Sequence, residues 1–327
     1  MRKTLKSILF AGALSVASLL GINSSCLDND LIPTGTTTTT SSSTSTSETA
    51  TAGTLSGKVK DILSETGISG ATVYVGGKSS FTNENGDYSI SNVPFNNYSA
   101  SVSSFPDYYT GLENLSLSSD LSKDFELIPS SVNKEHFKKA FQSYNGATEV
   151  YSQVGVSQRI TDSMCSTWKI YINNSPAQSS FASVTTEMIN KFIRNIEGND
   201  SRTGYQHLTS GKLNPTQTNE RLQIGTDPPA FGAPGWTIIY WDDSIGGGAH
   251  YEYLNGDNII SNYMRVSTLA PEEVYKHELY QAIGARRDSN IRLSIINDPL
   301  SVTSILQEDI NDMKINYKKT PGTKIFD

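Results

Sequence analysis

The sequence predicts two folded parts of different class: a β-sandwich over residues 53–130, then an α+β domain with a mixed sheet over residues 131–327. Three observations carry this. Between Gly53 and Pro129, short β-branched and aromatic runs recur at intervals of about ten residues, separated by turn residues, as in an antiparallel sandwich. Beyond Pro129-Ser130-Ser131, helix-periodic and alternating segments mix. One of those helical segments carries His277 and Gln281 four residues apart, hence on one face.

Neither fold includes residues 1–52. Arg2, Lys3 and Lys6 precede an uncharged, mostly apolar run from Ile8 to Ile22, 15 residues long and short of the ~20 a membrane-spanning helix needs. Ser24-Ser25-Cys26 follows, so residues 1–25 resemble a bacterial lipoprotein signal cleaved before a lipidated Cys26. The usual aliphatic residue three before the Cys is Asn23 here, with Ile22 one step further out. From Thr34 to Thr54, 16 of 21 residues are Ser or Thr and Glu48 is the one charge. Such a stretch buries no core, and residues 26–52 read as a disordered tether. With Cys26 lipidated, Cys165 has no disulfide partner, so the exported chain depends on its cores. The net charge of -7 argues against a nucleic-acid partner.

In the first part, Leu55, Val59 and Ile62 begin the pattern and Ala71 to Val75 form a strand. Phe81-Thr82 leads into the Asn83 to Asp87 turn, Tyr88 to Ile90 resumes, and Tyr98 to Val102 and Asp124 to Leu127 alternate again. Gly57-Lys58-Val59, Gly70 to Val73, Thr82 to Ile90, Val93-Pro94 and Tyr98 resemble the carboxypeptidase regulatory-like domain. That resemblance implies a prealbumin- or immunoglobulin-like sandwich with no catalytic residues of its own. Glu84 and Asp87 lack the spacing of a calcium loop and read as a solvated turn.

The second part opens with a helix from Glu135 to Tyr144, Phe137, Ala140 and Phe141 sharing a face. Trp168 to Ile172 alternates as a strand. Thr185 to Ile196 is a helix whose Met188, Ile189, Phe192 and Ile196 stripe is core packing. Leu222 to Ile224, Trp236 to Trp241, His250 to Tyr253 and Ile259 to Val266 read as strands. Pro271 starts a helix that Gly284 ends, and a last helix covers Leu306 to Tyr317.

His277-Glu278-x-x-Gln281-x-x-Gly284-x-x-Arg287 has the layout of the zinc-protease pattern H-E-x-x-H-x-x-G-x-x-H. His277, Glu278 and Gly284 are in place, but Gln281 and Arg287 occupy the second and third ligand positions. A neutral amide is a poor zinc ligand and a guanidinium is none. The element order resembles that of metzincin-type proteases. Ser294-Ile295-Ile296-Asn297 stands where their Met-turn would lie, with Ile296 for the Met, and Gly246 to His250 is similar to the glycine-rich approach to their cleft-rim strand. Residues 132–320 resemble more closely the bacterial domain of unknown function 2927, through Phe137, Ala140-Phe141, Trp168, Glu278 to Gly284, Asp288-Ser289, Ser294 to Asp298, Asp309 and Tyr317. That resemblance implies Gln at position 281 as a family trait and Glu as the commoner residue at 277. It implies a fold and no reaction.

The functional expectation is therefore a lipid-anchored envelope protein facing the periplasm or exterior. Its metzincin-like domain binds, for instance a polypeptide held in the old cleft, and does not cleave. No cofactor is expected, since a catalytic zinc needs three protein ligands and His277 is the only one the pattern keeps. The alternatives are an atypical zinc-dependent peptidase, with Glu278 catalytic and His277 a ligand beside His250, His207 lying in an expected loop, and a passive structural envelope protein. Arg287 is expected to stand near the lost metal position and to pair with Glu278. No G-x-S-x-G elbow or P-loop occurs. Cys165 reads as a buried thiol. Asp242-Asp243 and Glu308-Asp309…Asp312 read as solvated faces or helix caps.

Overall fold

The computed structural model describes residues 51–141, 144–145, 150–151, 159–174, 185–198, 204–214, 220–245, 247–256, 258–285, 305–321, 323 and 325–326. Eight strands come first: Ala52–Asp61 (β1), Thr72–Val75 (β2), Lys78–Phe81 (β3), Asp87–Pro94 (β4), Asn96–Ser103 (β5), Gly111–Leu117 (β6), Leu121–Ser122 (β7) and Phe125–Leu127 (β8). They make two four-stranded sheets. In one, β1 pairs antiparallel with β4 and parallel with β7 and then β8; the other runs β3-β2-β5-β6. Alternation places Tyr88 and Ile90 inside with Ser89 outside, and Leu55, Val59, Val73, Val102, Leu117 and Phe125 complete a buried core between the sheets. The Asn83 side chain accepts from the Asn85 and Asp87 amides at 2.9 Å each, which fixes the expected turn.

The second part contains Lys134–Ala140 (α1), Tyr144–Asn145 (β9), Val150–Tyr151 (β10), Arg159–Ile160 (β11), Asp162–Cys165 (α2), Lys169–Asn173 (β12), Thr186–Glu197 (α3) and Tyr205–Leu208 (α4). Leu222–Gly225 (β13), Trp236–Trp241 (β14), Gly248–Asn255 (β15), Asn258–Val266 (β16), Glu272–Ala282 (α5) and Gln307–Lys318 (α6) follow. The expected first helix is shorter than its pattern, because Tyr144 is drawn into a pairing with Tyr151. Pro271 caps α5 from an extended conformation, so the helix starts one residue later.

Five strands lie in the order β13-β12-β14-β16-β15, and β11 continues the β14 side of β16. All pairings are parallel except β15 with β16, so the sheet is mixed. The near-continuous apolar runs of β12 and β14 fit a sheet covered on both faces. One face holds a core with Phe192 of α3, Val274 and Leu279 of α5 and Met313 of α6; Phe192 meets Trp241 edge-on at 5.1 Å. Tyr240, Tyr251, Phe231 and Tyr253 cluster about Tyr263 and each other at 4.9–5.5 Å. Ile62 and Ile128 of the sandwich belong to the same core as the helices, and Tyr109 donates to the Val132 carbonyl at 3.0 Å. The sandwich and the α+β part thus share buried surface.

Two acidic pairs, expected as solvated faces or helix caps, do cap, but three of their carboxylates are buried. Asp242 is buried and ion-paired with Arg265, and Asp243 accepts from Ser267 Oγ, the Thr268 amide and Thr268 Oγ1 at 2.6–2.8 Å. Asp309 does cap α6, its carboxylate accepting from the Leu306 amide at 3.0 Å, but both Asp309 and Asp312 are buried. In each case an unlike-charged or donor group from a distant segment meets the carboxylate, a pairing that short-range periodicity does not encode.

Candidate functional site

Most of α5 is inside the protein. Val274, Tyr275, Leu279, Tyr280 and Ala282 are buried, and so are His277 (7% exposed) and Glu278 (4%). A helix buried on most of its circumference packs on several sides at once, and its polar residues then need internal partners. The start of the helix is tied to the sheet through Asp243, which fixes the Ser267-Thr268 turn after β16. Its end is tied as firmly. Asn262 Nδ2 donates to the Ala282 carbonyl at 2.6 Å and the Tyr317 hydroxyl to the Ile283 carbonyl at 2.8 Å. Gly284, with φ +131°, turns the chain away after α5.

The side chains at 277 and 281 meet as i, i+4 neighbours. Gln281 Nε2 lies 2.9 Å from His277 Nε2, so the amide donates and the ring nitrogen accepts. In a zinc pattern, the space between positions i and i+4 is where the ion sits. Here the amide has taken the lone pair that a metal would use. The donor set does not fit a zinc ion: an amide stands in the second position and the third residue is an arginine.

Glu278 lies against β15. A Cβ added at Gly248 would fall 2.5 Å from Glu278 Oε1 and 2.6 Å from its Cγ, so the strand can approach this carboxylate only with glycine at that position. Among the described residues, no three His, Cys, Asp or Glu side chains converge as a metal-binding group. Cys26, Arg287, Gly246 and Ser294 to Asn297 lie outside the described residues, as does the side chain of His250. His207 sits half-buried on α4. Cys165 is buried, and burial pushes its thiol up to about 11.

A second cluster was not found by reading the sequence. His136 of α1 lies between two carboxylates of α6: its Nδ1 is 2.5 Å from Asp312 Oδ2 and its Nε2 3.2 Å from Asp309 Oδ1. All three residues are 0–1% exposed. Burial opposes a charged ring, but the neighbouring carboxylates of Asp309 and Asp312 outweigh it and raise His136 to about 9. Burial also lifts Asp312, to about 7, against the pull of His136. The signal available in the sequence was the i, i+3 spacing of Asp309 and Asp312 beside the apolar Ile310 and Met313.

No family model matches the chain, and no curated protein matches it. Several solved structures resemble parts of it. A candidate carbohydrate-binding protein from Bacteroides uniformis is 17% identical over 24% of this chain and 43% of its own, with a TM-score of 0.21. A member of the domain of unknown function 3823 family from Parabacteroides merdae is 16% identical over 24% of this chain and 47% of its own, TM-score 0.21. A candidate membrane-associated protein of unknown function from Bacteroides fragilis is 13% identical over 36% of this chain and 37% of its own, TM-score 0.23. This chain spans less than half the length of each, and likenesses at such scores carry no argument about its fold or function. Among the described residues, no helix is long and apolar enough to cross a membrane.

Proposed function

We propose that this chain is a lipid-anchored envelope protein with a carboxypeptidase regulatory-like sandwich (53–130) and a metzincin-like second part (131–327) of the domain of unknown function 2927 type. The second part binds a ligand and does not cleave it. The observation that carries this reading is the Gln281 amide donated to His277 Nε2 at 2.9 Å, which fills the place of a metal with a hydrogen bond. Support for a metzincin-like fold comes from the order strand, helix, further strands, buried helix and final helix over β12 to α6. Further support is the antiparallel strand β15, whose first residue touches Glu278. Among the described residues β15 pairs with β16 alone. Its other edge suits an extended polypeptide added as a further strand. Cys26 is the proposed lipidation site and residues 26–52 the tether.

Elemental analysis of the purified full chain beside its His277→Ala variant tests the reading. The expected result is no stoichiometric zinc in either protein and no chelator-sensitive proteolysis. Stoichiometric zinc lost on substitution would overturn it in favour of an atypical zinc peptidase with Glu278 as its base. Acyl labelling of the wild type but not of Cys26→Ser checks the anchor.

A further inference from the structure

A cleft lies away from α5. It has a volume of about 770 Å³ and opens between the sandwich and the end of α6, with no residue of the His277 site in its walls. That volume is in the range of small-ligand sites, ~300–1,000 Å³.

Its charge runs against that of the protein. Five lysines line it, Lys60, Lys123, Lys134, Lys318 and Lys319, against the three carboxylates Glu113, Asp124 and Glu126. The wall is therefore net positive by two in a chain of net charge -7. Four of the lysines are held by ion pairs. Lys60 meets Asp124 at 2.6 Å, Lys123 meets Glu113 at 2.6 Å, Lys319 meets Glu126 at 3.5 Å, and Lys318 pairs with Glu65 outside the cleft. These pairs fix the geometry of the wall and leave Lys134 as its one surplus charge.

Lys134 differs from the other four. No carboxylate among the described residues pairs with it, and its Nζ lies 5.9 Å from the centroid of the Phe326 ring. Phe326 is packed edge-on against Tyr109 and Phe137, each at 5.2 Å, so the cation stands over a rigid aromatic floor. Thr110, Thr320, Thr323 and Asn114 add uncharged donors and acceptors around it. A surplus cation, a ring floor and a rim of hydroxyls match a ligand that is anionic, hydroxyl-rich and small.

We propose that this cleft is a binding site for an acidic sugar, its carboxylate or phosphate facing Lys134 and its body lying against Tyr109 and the threonine rim. The site is independent of the reading of α5. It joins the two parts of the protein, so a bound ligand touches both.

Calorimetric titration of the full chain with trigalacturonate, a hexose phosphate and neutral maltotriose tests this. One or both of the anions binds, and maltotriose does not. Trigalacturonate alone identifies a carboxylate-bearing ligand, and the hexose phosphate alone a phosphorylated one. Lys134→Met keeps an apolar stem over Phe326 and weakens anion binding about tenfold, the loss of one charge contact worth ~1.4 kcal/mol. Lys134→Arg keeps the affinity within a few-fold. A melting curve for each variant shows that it is folded. No binding of either anion at millimolar concentration would overturn the proposal. So would maltotriose binding as tightly as the anions, or Lys134→Met binding as tightly as the wild type.

Discussion

Replacing His136 by Ala leaves two carboxylates of one helix turn, Asp309 and Asp312, buried at 0% and 1% exposure without the ring that bridges them. Breaking a buried pair by removing one partner costs ~3–5 kcal/mol, because the other charge stays desolvated. An exposed pair such as Lys60–Asp124 is worth under ~1 kcal/mol. Since a domain's whole stability is ~5–15 kcal/mol, His136→Ala removes a large share of it. Urea unfolding followed by tryptophan fluorescence measures the loss, because Trp168, Trp236 and Trp241 all lie in the α+β part. Adding Asp309→Asn and Asp312→Asn to His136→Ala recovers part of the stability. The pH dependence has a definite sign. His136 is raised to about 9 in the folded chain, so its contribution is complete below its ordinary value near 6.5 and is lost as pH rises through 9. Asp312, raised to about 7, also binds its proton more tightly when folded, so its contribution likewise falls as pH rises. The wild type therefore loses stability from neutral pH upward. A loss below ~1 kcal/mol for His136→Ala at pH 6, or a wild type that gains stability between neutral pH and pH 9, refutes the argument.

Other outcomes are expected. Gly248→Ala forces a Cβ onto Glu278 and destabilises by ~1–3 kcal/mol, seen as a lower urea midpoint with an unchanged slope. Gln281→His restores the i, i+4 histidine pair and tightens zinc binding at least about tenfold over wild type by metal titration. It still lacks a third protein ligand at 287. In a Cys26→Ser background, Cys165 reacts with a thiol reagent at pH 8 at least ~100-fold more slowly in the folded chain than in urea, since burial holds its thiol near 11.

What could be read from the sequence follows the range of each signal. Side-chain alternation acts over a few residues, and Trp236–Trp241 emerges as a strand with the expected bounds. The i, i+4 geometry of a helix is equally local, so the meeting of His277 and Gln281 followed from their spacing. The His136–Asp312 contact joins residues 176 apart in the chain. Near Asp312 the local signal is mixed: Ile310 and Met313 are core types, but Glu308 and Asn311 are ordinary surface types. The same holds for Ile62 and Ile128, which belong by pattern to the sandwich and by contact to the helical core. A composition break at Pro129-Ser130-Ser131 marks a change of fold class, while the apolar surface crossing it depends on the folded arrangement.

The parallel pairing of β1 with β8 gives the sandwich a mechanical direction. The chain enters β1 at Ala52 and leaves β8 at Leu127, with Val59 beside Phe125 and Asp61 beside Leu127. A pull applied at those two ends drags parallel neighbours in opposite directions along their length. Such a load is carried in shear, so the rungs Val59–Phe125, Lys60–Glu126 and Asp61–Leu127 resist together and do not unzip one after another. Tension applied across Ala52 and Leu127 therefore meets three rungs at once.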